Sequence, residues 1–284
     1  MSPAATHGVV SLAALDLRPR PDHRAELASQ LLVGETVRLL GRPASGWVRV
    51  QNLADGYRGW VKEWGIVPAD EARSRRWRAL ARARVVAPFA RVLAGPGAGG
   101  AVSPLFLGGR VIAGRARGGF RTVELPDGRR GHVEAAALRD DARGSVDLVE
   151  RATSLLGTPY LWGGRTPAGY DCSGLVQQML LEQGVILPRD AHEQSLACRA
   201  LRRGEDPGEG DLVFFSADGR RMHHVGVGLG GGFFLHARGM VRVATMDESN
   251  PLWDRELAPQ CMGWRRPVVR GGVRAGRAKL DFSA

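Results

Sequence analysis

The chain has 284 residues and is 44% hydrophobic, which is enough apolar material for two or three domains. It contains no apolar run of the roughly 18 residues that a membrane span needs. Its first ten residues do not combine a basic region with an apolar one, as a secretory signal does. We therefore expect a cytoplasmic protein with no membrane partner.

The net charge of +11 at pH 7 is typical of two different kinds of protein. One has an Arg-rich solvated surface, and the other attracts an anionic substrate or polymer. Because no basic motif is interleaved with aromatic residues, we expect no nucleic acid partner. Cys172, Cys198 and Cys261 lack CxxC spacing, so neither a disulfide framework nor a cysteine-rich zinc site is expected, and no metal or cofactor is indicated.

Residues 8–70 contain short strands separated by turns, with a tight turn predicted at Asp55-Gly56. The pattern recurs over residues 80–140. Residues 46–50 are echoed by 119–123, and residues 55–61 by 127–133. The sequence therefore predicts two copies of one small β-barrel, joined by a helical turn or two within residues 71–80.

The repeat fails at one position, where Tyr57 of the first copy corresponds to Arg129 of the second. A tyrosine needed only to build the barrel would be expected in both copies. Tyr57 is therefore either a residue with a function outside its own domain or an ordinary surface tyrosine.

From residue 145 onward the pattern changes to helices followed by strands. Residues 146–156 predict a helix with Ser145 as N-cap and Gly157 as its stop. A second helix starts near Cys172 and ends at Gly184. Strands are predicted at 211–215, 224–229, 233–236 and 239–243. This order indicates an α+β domain with an antiparallel sheet.

Cys172 lies in the stretch Tyr170-Asp171-Cys172-Ser173-Gly174, at the first turn of the second helix. Free backbone N–H groups and the helix dipole favour a thiolate there, which suits covalent catalysis. The alternative is a buried cysteine that only packs in the core.

Two histidines are candidates for the base that a cysteine nucleophile needs. His224 begins a predicted strand and His236 ends the next, so a hairpin would bring them side by side. His224 would act as the base and His236 would orient it through a ring N–H hydrogen bond. His223 points to the opposite side of the strand. Taken singly, each histidine is equally an ordinary polar residue at a strand end.

Six motifs in order resemble those of the NlpC/p60 cysteine peptidases over roughly residues 145–267. They are Gly157-Thr158-Pro159-Tyr160-Leu161-Trp162-Gly163-Gly164, Tyr170-Asp171-Cys172-Ser173-Gly174-Leu175-Val176, Leu187-Pro188-Arg189, Gly210-Asp211-Leu212-Val213-Phe214-Phe215, His224-Val225-Gly226-Val227 and Leu235-His236-Ala237. The resemblance implies a papain-like fold and hydrolysis of bacterial cell-wall peptides. It makes Cys172 the nucleophile, His224 the base and His236 the third member. Tyr160 matches a tyrosine that helps to hold the oxyanion, or else it packs on the glycine loop.

With two barrels in front, the chain resembles the subgroup with bacterial SH3-like domains that cleaves the γ-D-glutamyl–diaminopimelate bond of free wall peptides. This resemblance implies that Tyr57 and Asp171 bind the free amino terminus of the substrate. Glu35 resembles a further acid used in the same way, and Ser173 completes the predicted substrate-binding set. The substrate would be L-Ala-γ-D-Glu-diamino acid, and no cofactor would be needed.

The predicted fold is thus α+β, a papain-like NlpC/p60 catalytic domain preceded by two small SH3-like β-barrels. The predicted boundaries are 1–72 and 73–143 for the barrels, 144–268 for the catalytic domain and 269–284 for a basic tail. The predicted function is murein-peptide recycling in the cytoplasm. Two alternatives stay open: an exported endopeptidase or amidase acting on intact wall, and a non-catalytic module that binds wall or polyanion.

Overall fold

The structure, a computed structural model, describes residues 5–141 and 147–268. The chain divides into two compact units, Met1–Gly144 and Ser145–Ala284. The division falls one residue after the predicted start of the catalytic domain at residue 144. The predicted basic tail, 269–284, lies outside the described residues. Among the described residues, no helix is long and apolar enough to cross a bilayer.

The first unit begins with seven short strands. They are β1 (His7–Val10), β2 (Ala14–Leu17), β3 (Ser29–Leu32), β4 (Thr36–Leu39), β5 (Trp47–Asn52), β6 (Arg58–Lys62) and β7 (Ile66–Ala69). Five of them form an antiparallel sheet in the order β6-β5-β4-β1-β7, and β2 pairs with β3. The predicted turn at Asp55-Gly56 lies between β5 and β6, where Gly56 has a φ of +78°, a conformation that glycine adopts without steric cost.

Helix α1 and seven further strands follow among the described residues of the first unit. They are α1 (Glu71–Leu80), β8 (Ala83–Val85), β9 (Phe89–Gly95), β10 (Ala98–Phe106), β11 (Arg110–Arg117), β12 (Phe120–Glu124), β13 (Arg130–Glu134) and β14 (Leu138–Asp140). Their sheet has the order β10-β9-β13-β12-β11-β8-β14. The run β13-β12-β11-β8-β14 repeats the order of the first sheet, in agreement with the internal repeat in the sequence.

Helix α1 is longer than the turn or two that the sequence suggested. It spans ten residues, and the side chain of its N-cap residue Asp70 accepts a hydrogen bond from the Arg73 N–H at 2.7 Å. Its buried Trp77 packs with Val9 and donates its indole N–H to the Gly34 carbonyl oxygen at 3.0 Å. This one side chain anchors the helix against the first sheet.

The second unit combines helices with an antiparallel sheet. Its elements are α2 (Leu148–Leu155), β15 (Arg165–Thr166), β16 (Gly169–Tyr170), α3 (Cys172–Glu182), α4 (Ala191–Leu196), β17 (Cys198–Ala200), β18 (Leu212–Phe215), β19 (His224–Gly230), β20 (Phe233–Arg238), β21 (Met240–Thr245) and β22 (Cys261–Pro267). The six-stranded sheet has the order β17-β22-β18-β19-β20-β21. The four predicted strands β18 to β21 are confirmed to within two residues, and β17 and β22 were not predicted.

The start of α2 differs from the prediction. The helix begins at Leu148 with Asp147 as N-cap, whose carboxylate accepts hydrogen bonds from the N–H groups of Val149 and Glu150. An ionised carboxylate at the N-cap also gains from the helix dipole. The predicted cap, Ser145, lies outside the described residues.

Helix α3 ends as predicted, with Gly184 (φ +78°) just after the C-cap residue Gln183. Its last residue, Glu182, forms a bidentate ion pair with Arg151 of α2, with N–O distances of 2.5 and 2.9 Å. Both side chains are at least 94% buried, so the pair joins the two helices out of reach of water.

We expect Glu182→Leu to lower the free energy of unfolding by about 3 kcal/mol, because it removes the carboxylate that balances the buried Arg151 charge. The double variant Arg151→Met/Glu182→Leu should recover most of this loss. Urea unfolding followed by near-UV circular dichroism measures both. As a surface control, Glu71→Gln breaks the exposed Glu71–Arg75 pair and should cost less than about 1 kcal/mol. Equal losses in the single and double variants would contradict this account.

Candidate active site

Cys172 is the first residue of α3 and is 6% exposed. The preceding residue, Asp171, is the N-cap, and its Oδ1 accepts the Gly174 N–H at 2.7 Å. Its Oδ2 accepts the Gly163 N–H of the glycine loop at 2.9 Å. One carboxylate thus fixes both the start of the helix and the loop in front of it, and with them the position of the sulfur atom.

Arg189 is the last residue of the motif Leu187-Pro188-Arg189, and no role was predicted for it from the sequence. Its guanidinium is 1% exposed and makes two hydrogen bonds to the Asp171 carboxylate, at 3.0 and 2.5 Å, and one to Ser173 Oγ at 2.8 Å. Ser173 Oγ in turn donates to Asp171 Oδ1 at 3.3 Å. The structure therefore shows Asp171 and Ser173 within a buried network. Their predicted contacts with the substrate stay predictions.

The two predicted histidines meet as the hairpin hypothesis required. His224 Nε2 lies 2.9 Å from His236 Nδ1, and both side chains are buried. Gly226 lies two residues after His224 on the same face of β19, where its lack of a side chain leaves space for Phe234. A Cβ at position 226 would lie 2.6 Å from Cδ2 of Phe234, whose ring packs on that of His236.

Cys172 lies against the start of β19. Its Sγ is 3.9 Å from the His223 carbonyl oxygen, and the Val225 N–H hydrogen-bonds the sulfur. These two backbone groups flank His224. The side chain of His223 is exposed, and its Nδ1 accepts the Ala217 N–H at 3.2 Å, so His223 is directed elsewhere.

Tyr160 is held beside Cys172 by two backbone contacts. Its N–H donates to the Gly239 carbonyl at 2.9 Å, and it bridges to Tyr170, two residues before the nucleophile. Burial, and then the charges of Cys172 and Asp171, raise the pKa of Tyr160 above its ordinary value of 10. The hydroxyl therefore stays protonated at neutral pH and can donate a hydrogen bond.

The resting protonation states differ from the expectation of a stabilised thiolate. Burial, and after it the negative charge of Asp171, raises the pKa of Cys172 to about 12. The backbone N–H of Ser173 lowers this pKa, as the helix position predicts, and so does that of Val225 on β19, but burial outweighs both. Burial and the neighbouring His236 hold the pKa of His224 well below 6.5. The site therefore contains a neutral thiol beside neutral imidazoles.

The two remaining predicted site residues belong to the first unit. Tyr57 is half-buried and packs against the core of the first sheet, and its N–H donates to Asp55 Oδ1 at 3.0 Å. Glu35 Oε2 accepts the Leu32 N–H at 3.1 Å and a weaker bond from Asn52 at 3.4 Å. Their roles in substrate binding stay predictions.

Arg242 and Asp254 also belong to this site, and neither was predicted from the sequence. Arg242 Nε lies 3.3 Å from His236 Nε2, and the guanidinium pairs with Asp254. A signal was present, since Gly239 lies midway between His236 and Arg242 and a hairpin turning there pairs the two. Among the described residues, no three His, Cys, Asp or Glu side chains form a group that could hold a metal ion.

Comparison with protein families connects this geometry to known proteins. The model described as NlpC/P60 family matches residues 157–260, which include the cysteine and both histidines. The chain contains an NlpC/P60 domain. The model described as bacterial dipeptidyl-peptidase Sh3 domain matches residues 17–66. A second SH3-like domain at 73–143 stays a prediction, because neither match reaches that segment.

Relatives of the NlpC/P60 domain are peptidases, and the chain is a hydrolase of the cysteine peptidase class. Dipeptidyl-peptidase 6 of Lysinibacillus sphaericus is 27% identical over 86% of this chain and 93% of the relative. Gamma-D-glutamyl-L-lysine dipeptidyl-peptidase of Bacillus subtilis (strain 168) is 34% identical over 39% of this chain, and the match spans 38% of that relative. A crystal structure of an NlpC/P60 family protein from Bacillus cereus ATCC 10987 has the same fold, with a TM-score of 0.77 and 20% identity over 92% of this chain and 99% of that one.

We expect alkylation of Cys172 by iodoacetamide to speed up about tenfold per pH unit from pH 6 to pH 9, because only the thiolate reacts and its fraction grows with pH. Peptide-resolved mass spectrometry separates Cys172 from the buried Cys198 and the half-buried Cys261, and Cys172→Ala is the blank. A rate that stays constant across this pH range would show a preformed thiolate and contradict the resting state described above.

Proposed function

We propose that this protein hydrolyses the γ-D-glutamyl–diamino acid bond of murein peptides that have a free N-terminal L-Ala, as part of cell-wall peptide recycling in the cytoplasm. One observation carries the proposal. The same chain contains the Cys172–His224–His236 arrangement and a segment that matches the bacterial dipeptidyl-peptidase Sh3 domain. The 93% coverage of a relative named dipeptidyl-peptidase 6 supports it.

In the proposed acylation step, His224 takes the Cys172 proton as the sulfur attacks the γ-carbonyl carbon of D-Glu. A C–S bond forms and the carbonyl oxygen becomes an oxyanion, to which the Tyr160 hydroxyl donates. His224 then gives its proton to the amine of the diamino acid as the C–N bond breaks. The amine leaves and the dipeptide stays on Cys172 as a thioester.

In deacylation, His224 removes a proton from water as the water attacks the thioester carbonyl. The C–S bond breaks, His224 returns its proton to the sulfur, and L-Ala-D-Glu leaves as a free acid. His236 stabilises the protonated His224 in both steps. The site separates charge only during the reaction, since thiol and imidazoles start neutral.

Substrate selection in this proposal depends on the free amine of L-Ala. A half-buried ammonium needs carboxylate and hydroxyl partners, and the proposal assigns Tyr57, Glu35 and Asp171 to it. The Asp171 carboxylate already accepts five hydrogen bonds. Its part is therefore mainly the orientation of its neighbours, and the hydroxyl of Tyr57 is the most direct test of amine recognition.

We expect the full chain to cleave L-Ala-γ-D-Glu-meso-diaminopimelate and to leave the N-acetylated peptide intact, as read by mass spectrometry of released L-Ala-D-Glu. Cys172→Ala should reduce turnover by at least about a thousandfold, because it removes the nucleophile. Circular dichroism checks that this variant stays folded. Equal cleavage of both peptides would replace the proposal with that of a wall endopeptidase. Cleavage of neither, with salt-sensitive binding to sacculi, would favour a binding module.

We expect Tyr57→Phe to raise KM for the free peptide about tenfold or more, because a hydrogen bond to a charged group contributes about 1.5–3 kcal/mol. Arg129→Gln is the matched control, since Arg129 occupies the corresponding position of the repeat, and it should leave KM unchanged. Steady-state kinetics of both variants make the comparison. An unchanged KM in Tyr57→Phe would remove the assignment of Tyr57 to the amine.

A further inference from the structure

Arg242 is placed next to the catalytic histidines by the register of one hairpin. Strands β20 and β21 are antiparallel, and His236 lies directly opposite Arg242. The hairpin turns at Gly239, which has a φ of +71°. Directly opposed residues have Cβ atoms about 4.5–5.5 Å apart, so the backbone itself fixes this proximity.

The contact between the two side chains is a hydrogen bond with a defined direction. Arg242 Nε lies 3.3 Å from His236 Nε2. An arginine keeps its protons at all accessible pH values and can only donate. His236 Nε2 must therefore accept, and its ring proton is confined to Nδ1.

The hydrogen bond from Arg242 to His236 also determines the direction of the next hydrogen bond, between His236 and His224. His236 Nδ1 lies 2.9 Å from His224 Nε2, so the confined proton is donated to His224. His224 Nε2 then accepts as well, and the proton of neutral His224 is on Nδ1. Because Nε2 is engaged by His236, Nδ1 is the nitrogen left for Cys172.

To act as a base, His224 needs the hydrogen bond between the two histidines to run in the opposite direction. To take the Cys172 proton, His224 must present a lone pair at Nδ1 and carry its own proton on Nε2, donated to His236. His236 then accepts at Nδ1 and carries its proton on Nε2, where it would meet the Arg242 N–H. Two donors facing each other leave both unsatisfied in a buried site, so Arg242 must leave His236 before His224 can act.

We propose that Arg242 is a positioning residue that holds the enzyme in a resting state, by fixing the ring protons of His236 and His224 in the arrangement that cannot deprotonate Cys172. We call the Arg242–His236 hydrogen bond the latch. It opens when the Arg242 guanidinium turns from His236 to Asp254. Asp254 is 9% exposed and already accepts one Arg242 N–H at Oδ2, at 2.5 Å. The Arg242 side chain is 39% exposed, so it has room to move.

The charged groups around His236 agree with this reading. Arg242 opposite and Arg238 on the same strand both disfavour a proton on the ring, and Asp254 favours one. His224 of β19 lies on the remaining side. Burial and Arg242 together lower the pKa of His236 to about 4. Loss of the Arg242 charge should therefore raise this pKa.

The test is ¹⁵N–¹H correlation NMR of the full chain labelled with ¹⁵N-histidine, which reads the protonated nitrogen of each ring. His236→Gln assigns the signals. Wild type should show His236 protonated on Nδ1, and Arg242→Met should move this proton to Nε2. Arg238→Met is the matched control, because it removes an equal charge from the same hairpin without breaking the bond to His236, and its His236 proton should stay on Nδ1.

Kinetics of the same variants give a second readout. In Arg242→Met, kcat/KM at pH 7 should rise about fivefold, since a hydrogen bond of about 1 kcal/mol no longer opposes the base. The acid limb of the pH profile of kcat/KM should move to higher pH by on the order of one pH unit. The reason is that the rings of His224 and His236 are easier to protonate without the Arg242 charge. Arg242→Lys keeps the charge but has a methylene where arginine has Nε. It should therefore let the His236 proton move to Nε2 and leave the acid limb of the pH profile in place.

A wild-type His236 protonated on Nε2, or an Arg242→Met protein with its proton still on Nδ1, would overturn the inference. So would a fall of kcat/KM in a folded Arg242→Met. The inference rests on the proposed role of His224 as base. The NMR readout needs no turnover, so failure of the latch and failure of the proposed peptidase reaction are distinguishable.

Discussion

The active site depends first on the buried ion pair between Asp171 and Arg189. Taking two charges out of water is unfavourable, and a pair in the interior persists only where hydrogen bonds satisfy the remaining donors and lone pairs. Here the fork of Arg189 binds both carboxylate oxygens and Ser173, and backbone N–H groups take up the rest of the carboxylate. The same carboxylate caps α3, so the residue that follows it, Cys172, has a fixed position.

This arrangement also determines the electrostatics of the nucleophile. The Asp171 carboxylate that positions Cys172 also raises the pKa of its thiol, and burial raises it more. Burial also lowers the pKa of His224 and of His236, so both imidazoles are neutral. The site therefore holds no charged nucleophile in advance, and a reactive thiolate is formed only when a base can accept its proton. A latch that keeps His224 in the wrong tautomer fits such a site, because it acts on the step that generates the thiolate.

Short-range patterns predicted the parts of this site that depend on short-range structure. The helix of Cys172 followed from an apolar pattern and from Gly184, and the meeting of His224 with His236 followed from two neighbouring strands joined by a short turn. Strands β17 and β22 were missed because β22 pairs with both β17 and β18 across gaps of more than 45 residues, and no local pattern marks such a pairing. The cap of α2 was misplaced by two residues, since Asp147 and Ser145 are both good N-cap residues.

The contributions of Arg189 and Arg242 were missed for a different reason, although the position of Gly239 midway between His236 and Arg242 was a signal for the second. Each is one of many arginines in a strongly basic chain, and what distinguishes them is burial in one case and cross-strand register in the other. The helix position favours a thiolate, as the sequence indicates, but the sequence does not show the depth of burial, and burial has the larger effect on the pKa of Cys172.

The most direct test of the central claim, covalent catalysis by Cys172 on the γ-D-glutamyl bond, is to trap the acyl-enzyme. The full chain is mixed with excess L-Ala-γ-D-Glu-meso-diaminopimelate, quenched in acid within milliseconds and digested for peptide mass spectrometry. We expect an L-Ala-γ-D-Glu acyl group on Cys172, labile to hydroxylamine, together with free diaminopimelate. Turnover without any adduct on the Cys172 peptide would contradict covalent catalysis by this residue.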